Sequence, residues 1–207
     1  MGLLKKFFNQ TRKPEGFLGK IIIKGMNLGH AKGADWAMEY LNGVKPSDIV
    51  DLGCGGGRNA AALLGKYPSA KVTAVDYSPL SVAKASEYNR GAIASGQCVV
   101  LEGNVAGLPF EAGRFSLATA FETIYFWPGL QKCFMEVARI LTPGGYFLIA
   151  NESGGTDAVG HKFEKIIDGM KVYTVEEIEK ALRDAGFSEV KAGHHPSWPW
   201  IAVLAKK

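Results

Sequence analysis

Asp51-Leu52-Gly53-Cys54-Gly55-Gly56-Gly57-Arg58-Asn59 stands between a short apolar run, Asp48 to Leu52, and an alanine-rich stretch, Asn59 to Lys66. An apolar run, a glycine cluster and a helix-forming stretch in that order read as strand, tight turn and helix. Glycines at such a turn let backbone approach a ligand held at the helix N-terminus. Their spacing separates ligand classes. A dinucleotide fingerprint G-x-G-x-x-G beginning at Gly53 needs a glycine at position 58, where Arg58 stands, whereas G-x-G-x-G is met by Gly53, Gly55 and Gly57. A carboxylate at Asp51 suits a ligand with an ammonium group and repels a pyrophosphate over the same turn.

The unit recurs downstream. Lys71 to Val75 reads as a strand with Asp76 at its end, followed by a helix capped by Ser78 with Pro79 in its first turn. Gln97 to Glu102 and Phe115 to Ala120 read as the third and fourth strands and Gly129 to Leu141 as a helix. Tyr146 to Ala150 follows the Pro143-Gly144-Gly145 turn as a fifth strand. Thr174 and Glu177 make a capping box for a helix ending at Gly186. Phe187 to Lys191 and Trp200 to Ala205 are final strands joined without a helix, hence antiparallel neighbours. Upstream, Ala34, Ala37, Met38 and Leu41 place a helix over residues 31–41. The alternation predicts an α/β fold: a doubly wound, mostly parallel seven-stranded sheet with an antiparallel C-terminal strand and an N-terminal helical cap. Residues 1–44 are expected to form the cap and leader and 45–207 one compact unit, with ligands at the carboxyl ends of the strands.

A chain of 207 residues, 47% hydrophobic and 21% charged, fits a soluble folded domain and excludes disordered and fibrous designs. Its net charge of +4 (24 basic minus 20 acidic residues) is concentrated early: Lys5, Lys6, Arg12, Lys13, Lys20 and Lys24 face only Glu15 before residue 25. No nucleic-acid motif accompanies this basic leader, so no nucleic-acid partner is expected. Leu3, Leu4, Phe7 and Phe8 give it an amphipathic look, and weak membrane association is an open expectation. Met1-Gly2 suggests myristoylation, but Lys6 occupies the position that requires Ser or Thr. Cys54, Cys98 and Cys133 form no CxxC pair and no metal-ligand spacing, so no metal site is expected. Neither a signal-peptide core nor an apolar run of membrane-spanning length stands in the sequence, which predicts a cytoplasmic protein with reduced thiols.

With these residues in place, the chain resembles the S-adenosylmethionine-dependent methyltransferases of the Rossmann-like class I family, whose first motif reads much like Asp51 to Gly57. The likeness covers about residues 45 to 150. It implies S-adenosylmethionine as cofactor and S-adenosylhomocysteine as product. It implies that Asp51, Gly53, Cys54 and Gly55 contact the cofactor, that Asp76 accepts from the ribose hydroxyls, and that Tyr77 packs on the adenine. Asn104 and Val105, in Glu102-Gly103-Asn104-Val105, match the segment where an acid or amide meets the adenine amino group; many relatives carry Asp where Asn104 stands. Phe121 joins the same set, and Val137 to Gly145 completes the resemblance.

Beyond the fourth strand, Glu122, Tyr125 and Trp127 are expected to face the methyl donor. Glu122, Tyr125 and His30 are the candidate catalytic groups, a base being required only when the acceptor starts protonated. The acceptor atom is left open among oxygen, nitrogen, sulfur and a metalloid. A small-molecule acceptor is expected, methylated by in-line displacement, with alignment and water exclusion doing most of the catalysis. Glu152 follows the fifth strand within possible reach of the acceptor. His161 is expected in a loop, and His194 and His195 at the surface. Two rivals stand beside this reading, a nicotinamide-dependent oxidoreductase and a non-catalytic cofactor-binding module. The oligomeric state is left open.

Overall fold

A computed structural model describes residues 7–207. Met1, Gly2, Leu3, Leu4, Lys5 and Lys6, on which part of the leader reading falls, lie outside the described residues. The elements are α1 (Gly16–Gly29), α2 (Ala31–Ala37), β1 (Asp48–Leu52), α3 (Arg58–Lys66), β2 (Lys71–Asp76), α4 (Pro79–Tyr88), α5 (Arg90–Ala94), β3 (Cys98–Glu102), β4 (Phe115–Phe121), α6 (Leu130–Ile140), β5 (Leu141–Asn151), α7 (Ala158–Ile166), α8 (Val175–Asp184), β6 (Glu189–His194) and β7 (Ile201–Lys206). They build a seven-stranded sheet in the order β3-β2-β1-β4-β5-β7-β6, with β7 antiparallel to both of its neighbours and the other pairings parallel. This is the expected doubly wound sheet.

Alternation along the strands divides the core into two layers. Phe147 and Ile149 of β5 pack with Phe134 and Val137 of α6 and Ile178 and Leu182 of α8. Leu148 of β5 joins the other side with Leu63 of α3 and with Ala34, Ala37, Met38 and Leu41. The predicted 31–41 helix is α2 followed by one 3-10 turn, Met38–Leu41. The Thr174–Glu177 capping box is present at α8, and Ser78 caps α4 with Pro79 in its first turn. The Pro143-Gly144-Gly145 turn is a bulge within β5: Phe115 pairs with Leu141 and Leu117 with Tyr146, so residues 142–145 loop out of the ladder.

Two elements differ from expectation. Residues 16–29 form a helix that the sequence hides, because Ile21-Ile22-Ile23 and four glycines are poor helix formers. Tertiary packing overrides that propensity: a Cβ on Gly19 would stand 2.9 Å from Leu80 of α4 and from the Pro14 carbonyl carbon, so only glycine allows this approach. His161, expected in a loop, lies on α7, where the N-cap Asp157 accepts from Gly160 N–H and starts the helix.

Candidate functional site

The carboxyl ends of β1, β2, β4 and β5 open into one cavity of about 1000 Å³, at the upper end of the range for small-molecule sites. Gly53 follows β1 with φ 77°, and its N–H and that of Cys54 donate to Val75 O at 2.8 and 3.0 Å, binding the loop to the end of β2. A Cβ at Gly53 would fall 2.0 Å from Thr123 Oγ1, so glycine is needed for both the angle and the approach. Gly56 meets α1 in the same way: Asn27 Nδ2 donates to its carbonyl at 3.3 Å, and a Cβ there would strike Asn27 and Ile23. Arg58, which breaks the dinucleotide spacing, pairs with Asp35 at 2.6 Å and links α3 to α2.

Of the nine residues expected to bind cofactor and the three expected in catalysis, eleven line this cavity: His30, Gly53, Cys54, Gly55, Asp76, Tyr77, Asn104, Val105, Phe121, Glu122 and Tyr125. Asp51 does not. Its side chain is buried: Oδ1 accepts from the Thr119 hydroxyl of β4 at 2.8 Å and Oδ2 has no partner. Complete burial raises its pKa to about 7, against the Thr119 hydrogen bond and with a smaller push from Asp76. Asp76 is buried too. Its Oδ2 accepts from Gly55 N–H and its Oδ1 from Ser78 N–H, both at 2.9 Å, and desolvation raises its pKa despite these bonds. The Tyr77 hydroxyl donates to Arg12 O, turning its ring under the N-terminal residues. Asn104 is exposed, and its Oδ1 already accepts from Ala106 N–H at 2.9 Å. Cys54 is a buried thiol with its pKa pushed well above the ordinary value, which removes it as a nucleophile.

At the other end of the cavity the acids converge. Glu122 adopts φ 57°, the single positive φ among the described non-glycine residues, which turns its carboxyl inward beneath the end of β5. Its Oε1 accepts from Glu152 N–H. Burial raises the Glu122 pKa to about 8, with His30 pulling it down and Glu152 pushing it up. Tyr125 accepts from Ser153 N–H at 3.0 Å, and burial beside Glu122 holds its phenol protonated. His30, the residue between α1 and α2, places Nδ1 3.0 Å from Glu152 Oε1. Burial lowers the His30 pKa, but the hydrogen bond that its ring donates to Glu152 and the charges of Glu122 and Glu152 outweigh it, and the net shift is upward. Ligating atoms of His30, Glu122 and Glu152 lie within 4.8 Å of one another, the one such grouping among the described residues.

Sequence reading missed most of the remaining wall. Phe163, Met170, Trp198 and Trp200 line the cavity, and no periodicity or motif marks them, because they come from separate loops and α7. Phe8 also lines it and packs edge-on against Phe163 at 5.3 Å. Asn9 exchanges two hydrogen bonds with Asp168, of 3.0 and 2.9 Å, and Arg12 Nη1 donates to Asp168 O at 2.9 Å, so residues 8–12 cross over the site. Trp127 serves core and site: its ring stacks 6.2 Å from Phe147, and its Nε1 donates to Thr123 at 3.2 Å. His161 pairs with Glu164 at 3.3 Å and His195 packs edge-on between Trp36 and Trp200; neither histidine lines the cavity.

Residues 50–149, from β1 to β5, match the family described as a methyltransferase domain. Malonyl-[acyl-carrier protein] O-methyltransferase of Geobacter sulfurreducens is 27% identical over 81% of this chain and 68% of its own length. Sterol 24-C-methyltransferase of Saccharomyces cerevisiae is 27% identical over 81% of this chain, which spans just 47% of that relative's length. Among solved structures, a chain from the complex of the Haloferax volcanii Trm112 methyltransferase activator with a methyltransferase superposes with TM-score 0.79. It is 22% identical, over 89% of this chain and 92% of that one. A SAM-dependent methyltransferase of Thermotoga maritima superposes with TM-score 0.71 at 21% identity, over 98% and 99% of the two chains. These matches favour the methyltransferase reading over the nicotinamide-dependent one. Over residues 50–149 the chain is thus similar to the methyltransferase-domain family, and it has the fold of solved class I S-adenosylmethionine-dependent methyltransferases.

Proposed function

We propose that the enzyme methylates a small, largely apolar acceptor by in-line displacement, with Glu122 as the proton-accepting group. The observation that supports this is the cavity itself, which runs from the carboxylate-rich ends of β1 and β2 to a compartment walled by Phe8, Phe126, Phe163, Met170 and Trp200. Bound at the first end, S-adenosylmethionine supplies an electrophilic methyl group on a positively charged sulfur.

The chain's own residues suit that cofactor. Asp76, already pulled towards Gly55 and Ser78, retains lone pairs for vicinal hydroxyls. Asp51, with one buried oxygen lacking a partner, would put negative charge beneath a bound ammonium group. Tyr77, Asn104 and Val105 form the wall assigned to the adenine, and Phe121 lines the same cavity. On the acceptor side, Glu122 at a pKa of about 8 holds or takes a proton near neutral pH, and Tyr125, His30 and Glu152 orient and compensate it. Residues 8–12 and α1 exclude water. The three free cysteines support a reducing, cytoplasmic setting.

Asp51 makes cofactor binding depend on pH. Its carboxyl is neutral below about 7, so affinity for S-adenosylhomocysteine is expected to fall as pH drops from 8 to 6, by roughly tenfold, the effect of one pKa unit. Calorimetric titrations across that range should show this slope in the wild type and a flat profile in Asp51→Asn. A slope that survives in Asp51→Asn would remove Asp51 from the ligand's field.

The acceptor class is tested by incubating the enzyme with methyl-tritiated cofactor and panels of apolar small molecules, proteins and nucleic acids, then separating organic-soluble from macromolecular label. Label in the organic extract is expected, and transfer should persist in EDTA if His30, Glu122 and Glu152 share protons rather than an ion. Label confined to protein or nucleic acid would overturn the proposal.

A further inference from the structure

We infer that the solvent-facing side of α1 docks the enzyme onto an anionic lipid bilayer; this rests on the reading above that the acceptor is apolar. Phe17, Ile21, Lys24 and Leu28 are spaced i, i+4, i+7 and i+11 and therefore form one line along the helix. Phe17 is 78% exposed, Ile21 53% and Leu28 72%, far more than scattered surface residues require. The opposite side of the same helix is also apolar: Gly19, Ile22 and Ile23 are buried. A surface helix of a water-bathed protein normally turns its polar face outward, so an outward apolar stripe signals a second surface that covers it.

Charge identifies that surface. Lys24 lies within the line and Lys20 beside it, Arg12 is exposed just upstream, and α1 contains no acidic residue, the Glu15 that precedes it being paired with Lys13 at 3.9 Å. An apolar stripe that carries lysines complements the boundary between acyl chains and anionic headgroups. A second copy meeting this face about a two-fold axis would bring like charges together, with no carboxylate on the helix to answer them. No helix among the described residues is long and apolar enough to cross a membrane, and α1 has 14 residues, so the attachment is interfacial. Met26, Asn27 and Gly29 of α1 also line the cavity. Docking by the outer face thus brings the cavity to the phase in which an apolar acceptor concentrates.

The test is co-sedimentation of the full chain with vesicles of phosphatidylcholine containing about 30% phosphatidylglycerol, and with phosphatidylcholine alone. Wild type is expected to sediment with the anionic vesicles, less with neutral ones, and less again at high salt. The triple variant Phe17→Ser/Ile21→Ser/Leu28→Ser should need at least about tenfold more lipid for half-binding. Lys20→Glu/Lys24→Glu should lose binding to anionic vesicles. Unchanged S-adenosylhomocysteine titrations report that these variants are folded. Wild type left in the supernatant, or a serine variant that sediments like wild type, would overturn the inference. So would a wild-type dimer, by light scattering, that the serine variant converts to monomer without any lipid effect. Vesicle binding with no label in any apolar acceptor would instead count against the proposed function and leave the docking surface standing.

Discussion

Asp76→Ala is expected to weaken S-adenosylhomocysteine binding by about 1.5–3 kcal/mol, roughly 10- to 150-fold, because hydrogen bonds to a buried charged group are worth that much. The side chain is buried at the end of β2 and faces the cavity, and its oxygens hold Gly55 N–H and Ser78 N–H. The variant thus removes the proposed ligand contact together with a tie to the glycine loop. Two ligands separate these effects. Adenosine, which has the ribose and base but no amino-acid arm, should lose affinity by about the same factor as S-adenosylhomocysteine if the ribose contact dominates. If loop shape dominates, adenosine should suffer less, since the arm is the part assigned to Gly53 to Gly55 in the proposed binding mode. Titration calorimetry with both ligands makes the distinction, and unchanged affinity for both would mean that the ribose lies elsewhere.

Glu122→Gln should cost activity and add stability. A positioned base contributes at least about 100-fold, so turnover of an acceptor found by the label screen is expected to fall by that much. In the wild type, turnover should rise with pH towards the Glu122 pKa of about 8, and the variant should lose this rise. Stability follows from the same shift. The folded protein keeps a proton on Glu122 up to about pH 8, whereas the unfolded chain releases it at the ordinary carboxyl pKa, so the folded state binds more protons between those values. Stability therefore falls as pH rises through that window. Removing the ionisable group should flatten the fall and raise the melting temperature at pH 8 to 9 relative to wild type. Thermal melts from pH 5 to 9 measure this without any acceptor. A variant as pH-sensitive as wild type, or less stable at alkaline pH, would contradict the buried carboxyl described here. The positive φ at Glu122 belongs to the same economy, a conformation kept for what it points at rather than for stability.

Some of the site was legible residue by residue. The spacing Gly53, Gly55, Gly57 with Arg58 in the wrong place for a dinucleotide, and an acid at the end of β2, are local features, and backbone chemistry alone ties them to the strand-turn-helix unit. The capping box at Thr174 and the Ser78-Pro79 start of α4 are legible for the same reason: cap geometry is satisfied within four residues. Asp51 illustrates the limit. Its type and place in the motif were readable, but its burial against Thr119, 68 residues away, was not. Likewise the ring from Phe8 to Phe163 joins parts of the chain with no local relation.

The sequence by itself determined the strand-and-helix alternation, the glycine turn and the two β-strand acids, because each depends on spacing within a few residues. Only the tertiary structure decided that α1 is a helix at all, that His30, Glu152, Glu122 and Tyr125 meet, and that an apolar stripe is left facing outward. The physical reason is common to all three. Burial, desolvation and close approach are set by which distant segments share a surface, and they override local propensity and ordinary pKa values wherever the chain packs against itself.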